Sequence, residues 1–472
     1  MFNKILVANR GEIAVRVVRA CAEMGIQSAA IFSDADRNAL HVKRADEAYS
    51  LGPDPVSGYL NVHRIVSLAE AAGCDALHPG YGFLSENPQL AEACAKRGIT
   101  FIGPSPGVIR AMGDKIEARK SMIAAGVPVV PGGNNSLASL DEAVALAREI
   151  GYPVMLKATS GGGGRGIRRC NDEDELQRGF DRVASEATKA FGSADVFIEK
   201  AVVNPRHIEV QILGDRFGNV IHLFERDCSI QRRHQKLIEI APSPQLNDEQ
   251  RRYVCELGVR AARAVGYENA GTVEFLLDSQ GRFFFMEMNT RLQVEHTISE
   301  QITGIDIVQE QIRIAAGKAL SYQQSDITMR GYAVQFRINA EDPKNDFLPN
   351  FGRITRYYAP GGPGVRTDAA IYTGYEFPRY YDSMCAKLIV WALTWEQVLA
   401  RARRALNDMG VQGVKTTIPY YQEILKTTEF REARFDTSFV EQHPALTHYS
   451  VRRPPAHLAG AIAAAIAAHH GL

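Results

Sequence analysis

Along the first hundred residues the apolar positions switch between two periods. KILVAN reads as a buried strand, Ile13, Val17, Cys21 and Met24 then recur on one helical face from Glu12 onward, and SAAIF returns to a strand. Strand and helix signals in alternation predict a parallel sheet covered by helices. HPGYGFLSENP, His78 to Pro88, follows the strand-like CDAL. It therefore falls at the carboxyl edge, where such sheets bind ligands. No G-x-G-x-x-G follows the first strand, which disfavours a dinucleotide oxidoreductase.

The pattern changes at PVVPGGNN, a turn-rich run over Pro128 to Asn135 that marks a boundary. Beyond it the periods predict a smaller α+β unit: a helix near Leu140–Ile150, a strand ending at Lys157, a helix near Asp172–Ala190, and the strand DVFIEKAV. Between strand and helix lies KATSGGGGRGIRR, Lys157 to Arg169, with five glycines in six positions. Glycine lets backbone N–H groups approach a ligand closely, at an entropic cost when ordered. A flexible linker has the same composition, but a linker needs no lysine at the end of a buried strand. The segment reads as a phosphate-holding loop in a lid that closes over nucleotide and excludes water.

From about Arg206 strands dominate, in RHIEVQILGD, FGNVIHLFERD, GTVEFLL and RFFFMEMN, and a third region follows after about Met329. At 472 residues the chain exceeds a single core, and about two to four domains are expected. Hydrophobic residues make up 45% and charged residues 23%, an ordinary globular balance. Lys plus Arg and Asp plus Glu are each 54, so no net field draws the chain to nucleic acid or an anionic membrane. Any bound anion must be held by local charge. Seven cysteines without a C-x-x-C pair suggest buried, reduced thiols rather than a zinc site or disulfide framework. With no signal-peptide pattern and no apolar run approaching the roughly 18 residues of a membrane span, a soluble cytoplasmic enzyme is expected.

Taken as a hairpin with a two-residue turn at Ser279-Gln280, GTVEFLL-DSQG-RFFFMEMN sets Glu274 opposite Phe285 and puts Glu287 and Asn289 on the face of Glu274. Two carboxylates and an amide oxygen on one face suit a hard cation, Mg²⁺ or Mn²⁺. The plainer alternative is a solvated sheet face. TRLQVEH then sets Arg291, Gln293 and Glu295 at alternate positions beside the metal. A cation, an amide and a carboxylate in that order can hold a small oxyanion and take a proton from it, although arginine beside glutamates is also the make-up of a structural ion-pair network. CSIQRRHQKLIEIAP adds Gln231, Arg232, Arg233, His234 and Lys236. Zero net charge and the lack of interleaved aromatics weigh against a nucleic-acid patch. Residues alone thus give a magnesium-nucleotide site beside an oxyanion site.

Ten segments in order, ANRGEIAVRVVRA, HPGYGFLSEN, MGDK, KATSGGGGRGIR, NPRHIEVQ, ERDCSIQRRHQK, GTVEF, MEMNTRLQVEH, FRINAEDP and YYDSM, make the chain resemble a biotin carboxylase of the ATP-grasp superfamily over about residues 1–445. The resemblance implies an α/β and α+β architecture. A Rossmann-like N-terminal domain would cover 1–114 and an ATP-grasp domain 115–330, with a mobile lid at about 131–203; a biotin carboxylase C-terminal domain would cover 331–446 and a tail 447–472. It implies that ATP phosphorylates bicarbonate to carboxyphosphate, which yields CO₂ for N1′ of biotin on a partner protein. Lys115, Lys157, His207, Gln231 and His234 would then contact phosphates, with Gly163 and Gly164 closing over them. Glu199 and Lys200 would lie at the adenine pocket between Val202 and Leu276. Glu274 and Glu287 would hold Mg²⁺ or Mn²⁺, with Asn289 as a third, weaker ligand. Bicarbonate would sit against Lys236, Arg291, Gln293 and the backbone of Val294. Glu295 would act as general base and later as proton acceptor, and Arg337 would stabilise the negative charge on the ureido oxygen of biotin.

The tail, SVRRPPAHLAGAIAAAIAAHHGL, predicts a helix with Leu458, Ile462 and Ile466 on one face. That face could pack on its own domain or dock a separate biotin-bearing subunit, since no biotin-carrier segment with an A-M-K-M-type lysine is found in the chain. Such a tail looks more like the ATP-binding subunit of a two-subunit pyruvate carboxylase than the biotin carboxylase of acetyl-CoA carboxylase. The expected associations are with a biotin carrier or carboxyltransferase partner, and as a homodimer within a larger complex. The rivals are another ATP-grasp ligase, such as a carbamoyl-phosphate or purine-pathway enzyme, and a non-catalytic assembly protein.

Overall fold

The computed structural model of the chain describes residues 1–159, 166–191, 195–450 and 455–470. The alternating first segment forms β1 (Lys4–Val7), β2 (Gln27–Ser33), β3 (Glu47–Gly52), β4 (Ala76–His78) and β5 (Thr100–Phe101). These pair in parallel in the order β3-β2-β1-β4-β5. The order reverses at β1, so a crevice opens where the loops after β1 and β4 part. The helix Gly11–Glu23 buries Ile13, Val17 and Cys21 against the sheet, as its period requires. HPGYGFLSEN starts at the end of β4, on that crevice.

The smaller unit contains β6 (Val154–Ala158), β7 (Ile167–Cys170) and β8 (Val196–Lys200), antiparallel in the order β7-β6-β8. Helices Leu140–Ile150 and Glu173–Phe191 cover it, and it has a core of its own around Ala143, Val154, Leu156, Leu176 and Ile198. The glycine-rich stretch 160–165, with Gly163 and Gly164, lies outside the described residues.

The large sheet comprises β9 (Arg206–Gly214), β10 (Val220–Arg232), β11 (Gln235–Ala241), β12 (Asn269–Leu277), β13 (Phe283–Asn289) and β14 (Tyr332–Asn339). Two short ladders follow, β15 (Glu341–Asp342) with β16 (Leu348–Pro349) and β17 (Arg356–Tyr358) with β20 (Gly410–Gln412), and β18 (Val365–Ala369) and β19 (Met384–Ala392) complete the sheet. Its antiparallel order is β13-β12-β9-β10-β11-β14-β19-β18. Hydrogen bonding therefore runs unbroken across position 330, through the pairing of Ile238 with Phe336.

One face of this sheet packs on the helix Asp248–Ala264. Gly258 lies so close to Val210 that an added Cβ would come within 2.8 Å of its side chain. The other face carries the helix His296–Thr303, whose Ile298 and Ile302 pack with Ala241, Ala333 and Ile389.

The hairpin departs from its expected register. Its loop holds three residues, Ser279 to Gly281, between the paired Asp278 and Arg282, and Gly281 takes φ +80°. The register also shifts at Met286, so that Phe285 opposes Phe275 and Glu287 directly opposes Glu274. Glu274 was expected opposite Phe285; the longer loop sets Phe285 opposite Phe275 instead, and the bulge then brings Glu287 opposite Glu274. Packing supplies the reason, because a bulge lets residues two apart face opposite ways: Phe285 enters the core edge-on to Phe275, and Glu287 turns to the other face.

The tail forms the helix Pro455–His469. Ile462 and Ile466 are 52% and 53% exposed, so these positions are not packed on the chain's own domains; the side chain of Leu458 lies outside the described set. All seven cysteines are buried and unpaired. No helix among the described residues is long and apolar enough to cross a membrane.

Candidate active site

Four strands bring one row of residues into direct opposition: Glu287 on β13, Glu274 on β12, Glu209 on β9 and Arg226 on β10. Directly opposed residues share a face, and this face lies under the helix His296–Thr303, whose Ser299 accepts from Arg226. Three carboxylates in line, buried or nearly so, demand positive charge. Arg226 supplies one, donating to Glu209. Lys236 supplies the other from β11, with its three N–H groups on Glu209 at 2.5 Å, Glu274 at 2.9 Å and Glu295 at 2.7 Å. Burial alone would lower the Lys236 pKa; the three carboxylates outweigh it and hold the pKa well above normal.

Glu295 bridges two cations. One oxygen accepts from Lys236 and the other from Arg337 at 3.0 Å, while Arg337 also donates to Glu239 at 2.5 Å. Burial raises the Glu239 pKa despite Arg337, whereas Lys236 and Arg337 lower that of Glu295 against burial and against Glu209. The two carboxylates that share this arginine are thus shifted in opposite directions. Lys236 and Glu239 lie three apart in β11, yet both reach this face. Gln231 opposes Lys236 and Ile230 opposes Ile238, which leaves Leu237 as an extra residue that resets the alternation.

Glu274 takes three donors on one oxygen, from Lys236, Asn289 at 2.9 Å and Gln293 at 3.2 Å, and its other oxygen lies 3.0 Å from His207 Nε2. Burial opposes ionisation, but Lys236 and His207 together hold its pKa far below the carboxylate range. Glu287, directly opposite, makes no hydrogen bond or ion pair with the described residues, and burial and the Glu274 charge raise its pKa. A buried carboxylate facing another with no donor of its own fits a hard divalent cation. Asn289 stands beside this pair: its Oδ1 accepts from Arg291 at 2.9 Å and its amide nitrogen donates to Glu274. His207, Glu209 and Glu274 also bring potential ligand atoms within 4.8 Å of one another.

Beside this corner is a set of donors. Arg291 is braced by Glu86 at 2.9 Å and also donates to the Gln293 Oε1 at 3.1 Å. The chain then turns into the helix His296–Thr303, with Glu295 at its N-cap. Among the described residues neither the Val294 nor the Glu295 N–H has a hydrogen-bond acceptor. Two free amides at a helix start, next to an arginine, a lysine and an amide side chain, form an anion site.

The expected nucleotide residues gather from two directions. Lys157 in β6 pairs with Glu199 in β8, both buried. Lys115 starts the helix Lys115–Ala124 and donates to the Ala158 carbonyl at 3.2 Å; burial lowers its pKa, and the nearby Glu287 opposes that shift. Lys115 therefore stands between the lid strand and the acidic hairpin. His207 and Leu276 oppose each other on the site face. Gln231 is buried, at 3.5 Å from the Cys228 carbonyl, and Val202 is half-buried. His234 and Arg233 form an exposed two-residue turn with φ +64° and +49°, tied to Asp346 by Arg232 and Arg233. Lys200, next to Glu199 in β8, donates to the Gly151 and Tyr152 carbonyls at 2.9 Å each.

Sequence reasoning did not single out Glu209, Arg226, Glu239, Glu86 or Lys387. Glu209 was open to it, two residues after His207 in a strand. Glu86 lies in the segment already placed at the crevice. Arg226 and Lys387 needed the register, since Lys387 is marked only by its position opposite Arg337.

Comparison with known proteins places these features. Residues 1–109 match the family model of the biotin carboxylase N-terminal domain, 114–323 that of the carbamoyl-phosphate synthase L chain ATP binding domain, and 335–442 that of the biotin carboxylase C-terminal domain. The 2-oxoglutarate carboxylase small subunit of Hydrogenobacter thermophilus is 55% identical over 472 residues, covering 100% of both chains. A pyruvate carboxylase subunit from Methanothermobacter thermautotrophicus is 55% identical over 444 residues, covering 94% of this chain and 90% of its own. A crystal structure of the biotin carboxylase domain dimer of the Hydrogenobacter enzyme, in complex with MgADP, ADP and bicarbonate, superposes with TM-score 0.94 at 55% identity, covering 96% of this chain and 100% of that one.

Proposed function

Because this chain belongs to the biotin carboxylase family, an ATP-dependent ligase family, we propose that the row Glu287, Glu274, Glu209, Arg226 and the donors around Glu295 carry the carboxylation of biotin N1′. The observation that supports this most directly is Lys236, which ties the acidic hairpin to Glu295 and so joins a cation corner to an anion site.

Lys115, Lys157, His207, Gln231 and His234, with Gly163 and Gly164, hold the phosphates, and Glu199, Lys200, Val202 and Leu276 surround the base. Glu274 and Glu287 hold a divalent ion, which when bound neutralises phosphate oxygens. Bicarbonate rests on Lys236, Arg291, Gln293 and the Val294 N–H. Glu295 takes its proton as a carbonate oxygen attacks the γ-phosphorus and ADP leaves, giving carboxyphosphate. Cleavage of the carbon–oxygen bond releases CO₂ and phosphate, the phosphate takes the proton from Glu295, and the freed carboxylate accepts the N1′ proton of biotin as N1′ attacks the CO₂ carbon. Arg337 faces the ureido oxygen as negative charge gathers there, where a positioned cation helps most. Buried, unpaired cysteines support a reducing compartment such as the cytoplasm.

ADP release that requires bicarbonate and rises with free biotin tests this reading. Release indifferent to biotin would instead indicate another ATP-grasp ligase, and no release an assembly protein. Lys157→Ala should raise the apparent KM for ATP about tenfold or more, because a buried lysine at the loop loses its phosphate. An unchanged KM would remove Lys157 from the nucleotide site.

The carboxyl group passes to a 2-oxo acid, pyruvate or 2-oxoglutarate, through a biotin-bearing partner that docks the exposed Ile462 and Ile466 of the tail. The full-length match to the 2-oxoglutarate carboxylase small subunit, tail included, supports this. Deleting 451–472 should weaken association with that partner in the ultracentrifuge while activity on free biotin persists. Association unchanged by the deletion rejects the docking role.

A further inference from the structure

In a trans peptide the carbonyl and the N–H point in opposite directions, so whatever holds the carbonyl aims the amide. The Gln293 carbonyl shares a peptide with the Val294 N–H and accepts from His296 Nδ1 at 2.8 Å. The Val294 carbonyl shares a peptide with the Glu295 N–H and accepts from Lys387 Nζ at 3.0 Å. Both anchoring side chains are 0% exposed.

Behind them lies a further buried layer. Lys387 pairs with Glu12 Oε2 at 3.1 Å, and Tyr81 donates to the other Glu12 oxygen. Lys387 comes from β19, directly opposite Arg337, while Glu12 comes from the first helix of the N-terminal sheet. His296 is kept neutral by burial and by the neighbouring Lys387, Arg16 and Arg366 cations, which leaves Nδ1 as the donor toward the carbonyl. Two consecutive peptides are thus held at their carbonyls by buried side chains.

We propose that Lys387 and His296 are positioning residues that aim the Val294 and Glu295 amides at bicarbonate, an inference that rests on the bicarbonate reading above. Neither touches the anion. The affinity for bicarbonate then depends on the docking of the Glu12 helix and β19 against the VEH turn, independently of the nucleotide loop.

The test is a split of kinetic constants. Lys387→Met should raise the bicarbonate KM about tenfold or more, as loss of pre-aligned donors does, with the ATP KM within about twofold of the parent. His296→Gln should move the same constant in the same direction. Glu12→Gln keeps the bond from Lys387 to the Val294 carbonyl and should raise the bicarbonate KM by less than about threefold. Because Lys387→Met leaves Glu12 without its cation, the Glu12→Gln/Lys387→Met double variant is read if the single one does not fold, and His296→Gln decides if neither does. A bicarbonate KM unmoved in the folded Lys387 and His296 variants, or moved equally by Glu12→Gln and Lys387→Met together with the ATP KM, overturns the positioning role. Arg291→Ala separates the two levels: if it too leaves the bicarbonate KM unchanged, the bicarbonate site itself is misplaced.

Discussion

Glu295→Gln should turn over about a hundredfold or more slowly, in both bicarbonate-dependent ADP release and biotin carboxylation, because a positioned general base contributes about that factor. The structure gives the loss a second source. Glu295 now accepts from Lys236 and Arg337, both donors only. A glutamine can offer an oxygen to one of them and must turn an NH₂ toward the other, so either the anion lysine or the biotin arginine loses its partner. ADP binding should stay within about threefold, since the side-chain partners of Glu295 are Lys236 and Arg337 and neither is among the nucleotide residues. Full turnover in this variant would remove Glu295 from the base role, whatever its geometry.

The contrast between Glu295 and Glu239 extends this argument. Both share Arg337, yet only Glu295 also receives Lys236. The lowered pKa keeps the Glu295 carboxylate ionised at neutral pH but makes it the weaker base, so its candidacy rests on geometry, its contact with Lys236 of the anion site. Pairing, not exposure, selects the base, since both side chains are 0% exposed.

Much of this was legible before any coordinates. The alternating first segment, the two lid helices and the acidic hairpin follow from hydrophobic period and turn residues, because buried faces enforce those periods. What period cannot give is a bulge. Met286 and Leu237 each add one residue, and each reverses which side chains share a face beyond it. The extra loop residue and the bulge together put Glu287, not Phe285, opposite Glu274, although the face of Glu287 follows from either register. Partner choice was equally hidden. Asn289 donates to Glu274 and accepts from Arg291, partners that spacing alone does not name. Lys200 braces the lid backbone. Arg226 and Lys387 sit in strands that read as mere core and acquire meaning only from what the neighbouring strand sets opposite them.

Arg226→Met should lower the first thermal transition by about 10 °C, the largest stability effect expected from one substitution here. Arg226 is fully buried and gives its N–H groups to Glu209, Gln211 at 2.6 Å, Ser299 at 3.0 Å and Thr272 at 3.0 Å. Those acceptors lie on two strands and on the helix that covers the site, so one guanidinium joins them. Breaking a buried pair costs about 3–5 kcal/mol, because the partner charge stays behind. In a domain of this size each kcal/mol corresponds to roughly 2–4 °C. Methionine fills the volume, so the loss measures charge and hydrogen bonds rather than a cavity. The check is the Glu209→Gln/Arg226→Met pair: with the stranded carboxylate gone, at least half of the lost temperature should return, while turnover stays low because Lys236 has lost an anchor. A shift under about 2 °C for Arg226→Met alone would mean that Lys236 suffices to hold Glu209, and that the row across the four strands is not what fixes the site.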